Sequence, residues 1–123
     1  MTVTITLPLP HKHLSPNARC HWRAKARAVK NYRTAATAAA IIAQHGERWE
    51  WGESSVLCRF YFKDARARDS DNLLASMKSA FDGLADAGIV ENDRDFDHRP
   101  VWKSKDKANP RVEIEIERKD GAK

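Results

Sequence analysis

Residues 55–89 read SVLCRFYFKDARARDSDNLLASMKSAFDGLADAGI, and the change of period inside this stretch decides the fold. Up to Lys63 the apolar residues alternate, with Val56, Cys58, Phe60 and Phe62 on one face of a strand. DARARDSDN leads out of the strand, and from Asp71 the spacing becomes helical. Leu73, Met77, Phe81 and Leu84 then form one apolar face of a single helix, which Asp71 or Ser70 can cap. Gly88 stands where a C′ glycine belongs, and Ile89 is placed to touch Leu84 in a Schellman stop.

The flanks extend this strand–helix unit on both sides. TVTITLP near the N-terminus alternates Val3, Ile5 and Leu7 against threonines, another half-buried strand. An alanine-rich helix is expected from about His21 to Gln44. Trp22, Ala26, Val29, Ala36 and Ala40 share one stripe of it, and Arg23, Arg27 and Lys30 share a second, ~100° around the axis. Arg33 interrupts the apolar stripe, and nothing local accounts for it. The alanines suit close helix packing, within the chain or across a dimer interface. After the helix at 71–87, VENDRDFDHRP predicts a turn and an irregular strand, with Pro100 favouring an edge or bulge. KSKDKANP is a turn, and RVEIEIER a strand with Glu113, Glu115 and Glu117 on its wet face. The expected fold is α+β: a small mixed sheet covered by two helices, one domain over residues 1–123.

Charge points to a polyanion. The net charge of the 123-residue chain is +5, and residues 1–46 hold seven Lys/Arg and no acid. Such a basic third suits nucleic acid, where each neutralised phosphate releases counterions; a merely solubilising surface is the plainer alternative. Arg19, Arg23, Arg27, Lys30, Arg66 and Arg68 are the candidate phosphate contacts. No apolar run approaches the ~20 residues of a membrane helix. MTVTITLPLP lacks the basic and apolar regions of a signal peptide, so cytoplasm is expected, with Cys20 and Cys58 reduced. His11, His13, His21 and Cys20 match no standard zinc spacing. Trp49 and Trp51 suit packing on their own domain better than stacking on unpaired bases.

Within this basic chain, Asp69 and Asp71 stand one residue apart. At ~5 Å and an effective dielectric of ~20 two carboxylates repel by about 3 kcal/mol. Ion pairs to Arg66 and Arg68 would offset that, and so would Mg²⁺, which prefers hard oxygen ligands and takes one or two carboxylates from a protein. Lys78 and Asp82 project on the same side of the helix as Asp71 and can form a surface pair. Glu91, Asp93, Asp95 and Asp97 follow the helix stop. A helix of ~17 residues carries the chain ~25 Å away, so any of them joining Asp69 and Asp71 must return along the next strand or come from a second subunit. Leu73 replaces the Thr or Val of an aspartyl-phosphate phosphatase signature, and alternating βα units are lacking.

R-x-R-D-x-D-N-L, then K-x-x-F-D-x-L-x-x-A-G-I, then Asn92-Asp93, resembles the RusA family of Holliday-junction resolvases, common in phages and prophages. The likeness is clearest over residues 66–96 and extends loosely to the LPLP and SPN segments and the closing strand. It implies a catalytic set of Asp69, Asp71, Asp93 and Lys78, with the three aspartates holding Mg²⁺. It also implies a homodimer that nicks branched DNA at paired sites, with no nucleotide cofactor. Two features depart from the family pattern. Lys78 lies about one helical turn, ~4.5 Å, further from the second aspartate, and Asn92 replaces the neighbour of Asp93, leaving Asp95 as a substitute. A non-catalytic DNA-binding protein with structural aspartates is the alternative, and metal-dependent cutting separates the two.

Overall fold

The computed structural model describes residues 1–119. Three long strands follow the predicted alternation: β1 (Thr2–Leu7), β2 (Ser54–Phe62) and β5 (Arg111–Arg118). β5 lies between β1 and β2 and is antiparallel to both. The free edge of β2 is shared by two short parallel strands, β3 (Phe96–His98) along its first half and β4 (Trp102–Lys105) along its second. Pro100 separates them, as a residue without an N–H must in a ladder, and Arg99 carries the pairing to that point through its N–H to the Val56 carbonyl, 2.8 Å. The 106–110 segment is not a hairpin. It crosses the end of β2, held by the Asp106 N–H on the Phe62 carbonyl at 2.7 Å and by Arg111 on Asp106 at 2.8 Å.

One face of the sheet is dry. Ile5, Leu7, Val56, Cys58, Phe60, Val112, Ile114 and Ile116 are all buried on it, beneath helices α1 (Trp22–Ala43) and α3 (Lys78–Asp86). Burial pushes the Cys58 thiol up to about 12, so it stays protonated there. The other face carries Thr4, Thr6, Arg59, Tyr61 and Glu115, with Arg59 reaching Glu115 at 2.6 Å. The mixed sheet with its helices is the expected α+β architecture.

Three details differ from the local reading. First, the apolar stripe of α1 is Tyr32, Ala36 and Ala40; Trp22 is 68% exposed and Val29 36%. At 22 residues α1 is ~33 Å long. It outruns α3, nine residues and ~14 Å, and β1, six residues and ~20 Å, so its first turns meet the 3₁₀ turn at Lys12–Leu14 instead, through Ala24 and Ala28, and leave Trp22 and Val29 uncovered. The buried alanines pack on α3 of the same chain, where helices approach so closely that a Cβ at Gly83 would strike the Arg33 carbonyl oxygen.

Second, Arg33 finds its partner across that contact. It forks onto Asp86 at 2.6 and 2.9 Å and holds that carboxyl below the ordinary carboxylate range.

Third, the helix expected from residue 71 is two helices, α2 (Ser70–Ala75) and α3, separated at Ser76-Met77. The buried Ser76 hydroxyl donates back to the Leu73 carbonyl at 2.6 Å, and the Met77 N–H takes the Leu74 carbonyl at 3.0 Å. That back-bonding tightens the turn and bends the axis. The stop of α3 is as expected: Gly88 has φ +82, and the Ile89 N–H reaches the Leu84 carbonyl at 3.4 Å, both side chains fully buried.

Trp49 and Trp51 stack on each other, centroids 4.8 Å apart, with Trp51 buried in the domain as the sequence favoured. Gln44 is fully buried yet satisfied. Its amide donates to the Ala87 carbonyl at 2.9 Å and accepts from the Trp49 N–H at 2.8 Å, tying this loop to the end of α3.

Candidate functional site

The loop from β2 to α2 is organised around Asp64. Its carboxylate accepts the Arg66 N–H at 3.1 Å and the Arg68 guanidinium at 2.9 Å, and these bonds keep it below the usual carboxylate range. Arg68 also lies over the Phe62 ring, 3.8 Å from its centroid, and donates to the Arg66 carbonyl. Arg66 approaches Asp64 only to 3.6 Å, and its side chain is 74% exposed. Neither arginine pairs with Asp69 or Asp71. The ion-pair explanation of the aspartates is therefore not what the fold uses. Arg68, a candidate phosphate contact, is held by Asp64 and braces the loop.

Asp69, not Asp71 or Ser70, caps α2. One of its oxygens accepts the N–H groups of Asp71 and Asn72 at 2.8 and 3.2 Å, the reach of a capping residue to positions two and three beyond it. Asp71 is thereby placed in the first turn with its carboxylate exposed. Among the described residues it has no hydrogen-bond or ion-pair partner.

After the stop of α3 the chain forms a 3₁₀ turn over Asp93–Asp95. Asp95 accepts the Asn92 N–H at 3.1 Å, and Asp97 is held by Lys119 at 2.7 Å and Arg99 at 3.5 Å. Those two acids are thus occupied in local structure. Asp93 is exposed, also without a partner among the described residues, and lines a cleft of about 230 Å³ with Leu74, Lys78, Phe81, Asp82, Phe96 and His98. The chain brings Asp93 back to Lys78, with which it shares this cleft, but, among the described residues, not into a group with Asp69 and Asp71, the return that the sequence required within one chain. Lys78 is held only loosely, 3.4 Å from Asp82, with its side chain 78% exposed. Its replacement by alanine is expected to leave the melting temperature unchanged, because so loose and exposed a pair contributes little to stability. A fall in melting temperature would make it structural.

Asp69 and Asp71 do not line that cleft. They stand at the head of α2, one turn before Leu74 in its wall. Among the described residues, no three His, Cys, Asp or Glu side chains are grouped as a ready metal cage. The donor chemistry nevertheless fits a hard cation: among the described residues Asp71 and Asp93 have both oxygens free of partners, and Asp69 spends one on its cap.

His98 was missed by sequence reasoning. It sits at the end of β3 with its ring 4.5 Å from that of Phe81, and desolvation lowers its pKa although Asp97 opposes this. The signal available was its alternation with Phe96 in a segment otherwise read for acids.

The basic row belongs to α1. Arg19, Arg23, Arg27 and Lys30 are exposed along the approach to α1 and its first turns, and none is paired with an acid among the described residues. His21 caps α1 through the Arg23 N–H at 3.1 Å, and His11 caps the preceding 3₁₀ turn through the His13 N–H at 3.0 Å. Two of the three histidines of this segment, His11 and His21, are thus used as caps.

Comparison with known proteins agrees with the motif. An uncharacterized protein of Xylella fastidiosa (strain Temecula1 / ATCC 700964) is 36% identical over 103 residues, 77% of this chain. The matched region spans 63% of that relative's length. The sequence profile described as Endodeoxyribonuclease RusA matches residues 10–117, from the loop after β1 to the penultimate residue of β5, and so includes every aspartate discussed above. A match over nearly the whole described fold places the chain in the RusA endodeoxyribonuclease family.

Proposed function

We propose that the protein is a structure-selective endodeoxyribonuclease that resolves four-way junctions or related branched DNA, acting as a homodimer with Mg²⁺ held by Asp69, Asp71 and Asp93. The observation that carries this reading is the exposure of Asp71 and Asp93 without structural partners in a basic member of this family. Asp64, Asp86 and Asp97, by contrast, are engaged in ion pairs that hold the fold. The non-catalytic alternative is met only in part: Asp69 does cap α2, but neither Arg66 nor Arg68 pairs with Asp69 or Asp71.

A bound Mg²⁺ would supply Lewis-acid polarisation of the scissile phosphate and a lowered pKa for attacking water. The chain's own residues do the rest. Asp69, fixed by its cap, and Asp71 on the first turn present oxygens from one rigid helix end. Lys78 extends an ammonium from the start of α3 toward charge that develops on the phosphoryl oxygens or the leaving group. Arg19, Arg23, Arg27 and Lys30 hold duplex arms by their phosphates without reading sequence. Two-fold pairing of subunits matches a junction with two like strands to cut, and a second subunit is also one way to complete a carboxylate cage that one chain leaves open. No helix among the described residues is long and apolar enough to cross a membrane, and two unpaired cysteines with a DNA substrate fit the cytoplasm.

The deciding experiment is cleavage of a synthetic four-way junction with Mg²⁺ and with EDTA. Cutting in Mg²⁺ only, with binding retained in EDTA, is expected; binding without cutting in either condition would leave a DNA-binding protein. Arg23, Arg27 and Lys30 changed together to glutamate should weaken binding in EDTA and flatten its dependence on salt by up to about 3 in log–log slope. Unchanged affinity would remove α1 from the DNA face.

A further inference from the structure

We infer that the concavity between the β2–α2 loop and strand β4 is a second phosphate seat, in which Arg66, Lys103 and Lys105 grip the DNA strand beside the one being cut or its continuation. This inference rests on the endonuclease reading. The concavity has a volume of about 280 Å³ and is lined by Phe62, residues 64–68 and residues 103–105. Four cations, Arg66, Arg68, Lys103 and Lys105, face one anion, Asp64. The roles within it divide. Asp64 and the Phe62 ring immobilise Arg68, which forms the floor. The Lys103 ammonium donates to the Arg68 carbonyl at 2.9 Å, so β4 is tied to the peptide immediately before Asp69. Arg66 and Lys105 are exposed at the rim, and Lys105 has no partner among the described residues.

The register explains why the lysines face this way. Lys103 and Lys105 pair with Phe60 and Phe62 of β2, so they project on the helix side of the sheet, toward the loop. Trp102 and Ser104 point to the opposite side with Arg59 and Tyr61. β4 is an edge strand, and lysines on an edge also deter strand-to-strand aggregation. A guard role, however, requires only charge at the edge. It does not require a concavity with an immobilised arginine at its base or a lysine bonded to the residue preceding Asp69. An anion in this seat lies beside the aspartate loop, because its lining runs to Arg68, the residue before Asp69. Cationic groups placed next to the loop bearing Asp69 and Asp71 draw a phosphodiester backbone toward two carboxylates against their own repulsion.

The test is binding of a fluorescent four-way junction in EDTA over a series of salt concentrations, comparing wild type with R66A/K105A. Lys103 is left intact, because its loss would shift the Asp69 loop as well as remove a charge. Losing two phosphate contacts should flatten the log–log salt slope by about 2 and weaken binding at moderate salt by roughly tenfold. K105R should restore about half of the slope change when paired with R66A. Wild type that binds with the same slope as R66A/K105A overturns the seat and leaves the nuclease reading intact. Wild type that fails to bind DNA at low salt overturns both. A variant that precipitates more readily, with unchanged affinity for the junction, shows that the cations guard the edge and overturns the seat.

Discussion

Asp71→Asn should reduce cleavage of a four-way junction by about a hundredfold or more, with junction affinity in EDTA unchanged or higher and the melting temperature unchanged. The structure makes this substitution unusually clean. Asp71 has no partner in the described chain, so removing its charge breaks no ion pair or cap. Removing an anion from a surface that meets phosphates reduces repulsion, which is why binding should tighten if it changes at all. Asp69→Asn is the matching control on its neighbour, because asparagine caps a helix as well as aspartate does. It should therefore also lose activity without loss of fold. Unimpaired cutting by Asp71→Asn would remove it from the catalytic set, while a large fall in melting temperature would show that its carboxylate has a structural role.

Gly83→Ala is expected to destabilise the protein by about 1–3 kcal/mol, read as a melting temperature roughly 5–10 °C lower. Two effects oppose one another at this position. Alanine favours a helix interior by ~1 kcal/mol over glycine, so at an exposed site the change would stabilise α3. Here the added methyl meets the Arg33 carbonyl oxygen, and it lies 3.0 Å from both the Ala36 Cβ and the Thr37 hydroxyl. A backbone carbonyl inside α1 cannot swing aside as a long side chain can. The helices must separate, and separation loosens the Thr37 hydroxyl bond to the Gly83 carbonyl, 3.0 Å, and the Arg33–Asp86 fork. Packing loss therefore outweighs propensity. An unchanged or raised melting temperature would mean that the contact between α1 and α3 is soft.

Both expectations depend on features of very different visibility. The strands β1, β2 and β5 are written in a period of two, and the Schellman stop at Gly88 in a glycine followed by an apolar residue. Such signals act within a few residues, through backbone sterics and the alternation of faces, and any fold containing these segments obeys them. The Asp69–Asp71 pair was visible for the same reason, as a conspicuous local repulsion. The capping residue was not, since Ser70, Asp71 and Asp69 all have suitable side chains and the choice falls to the residue whose backbone is still extended when the helix begins. The break at Ser76-Met77 was hidden likewise: serine bends a helix only when its hydroxyl turns inward, and burial beside Leu73 made it do so.

What the sequence by itself determined is the set of elements and the chemistry they carry: three alternating strands, a basic helix, and two aspartates at a strand–helix junction. Tertiary structure alone decided the partners. It gave Asp64 to the arginines, set Asp86 against Arg33 across 53 residues, and brought Asp93 into one cleft with Lys78. Charge pairing is settled by distances of a few ångströms, and those distances exist only once buried faces have fixed how the helices lie on the sheet.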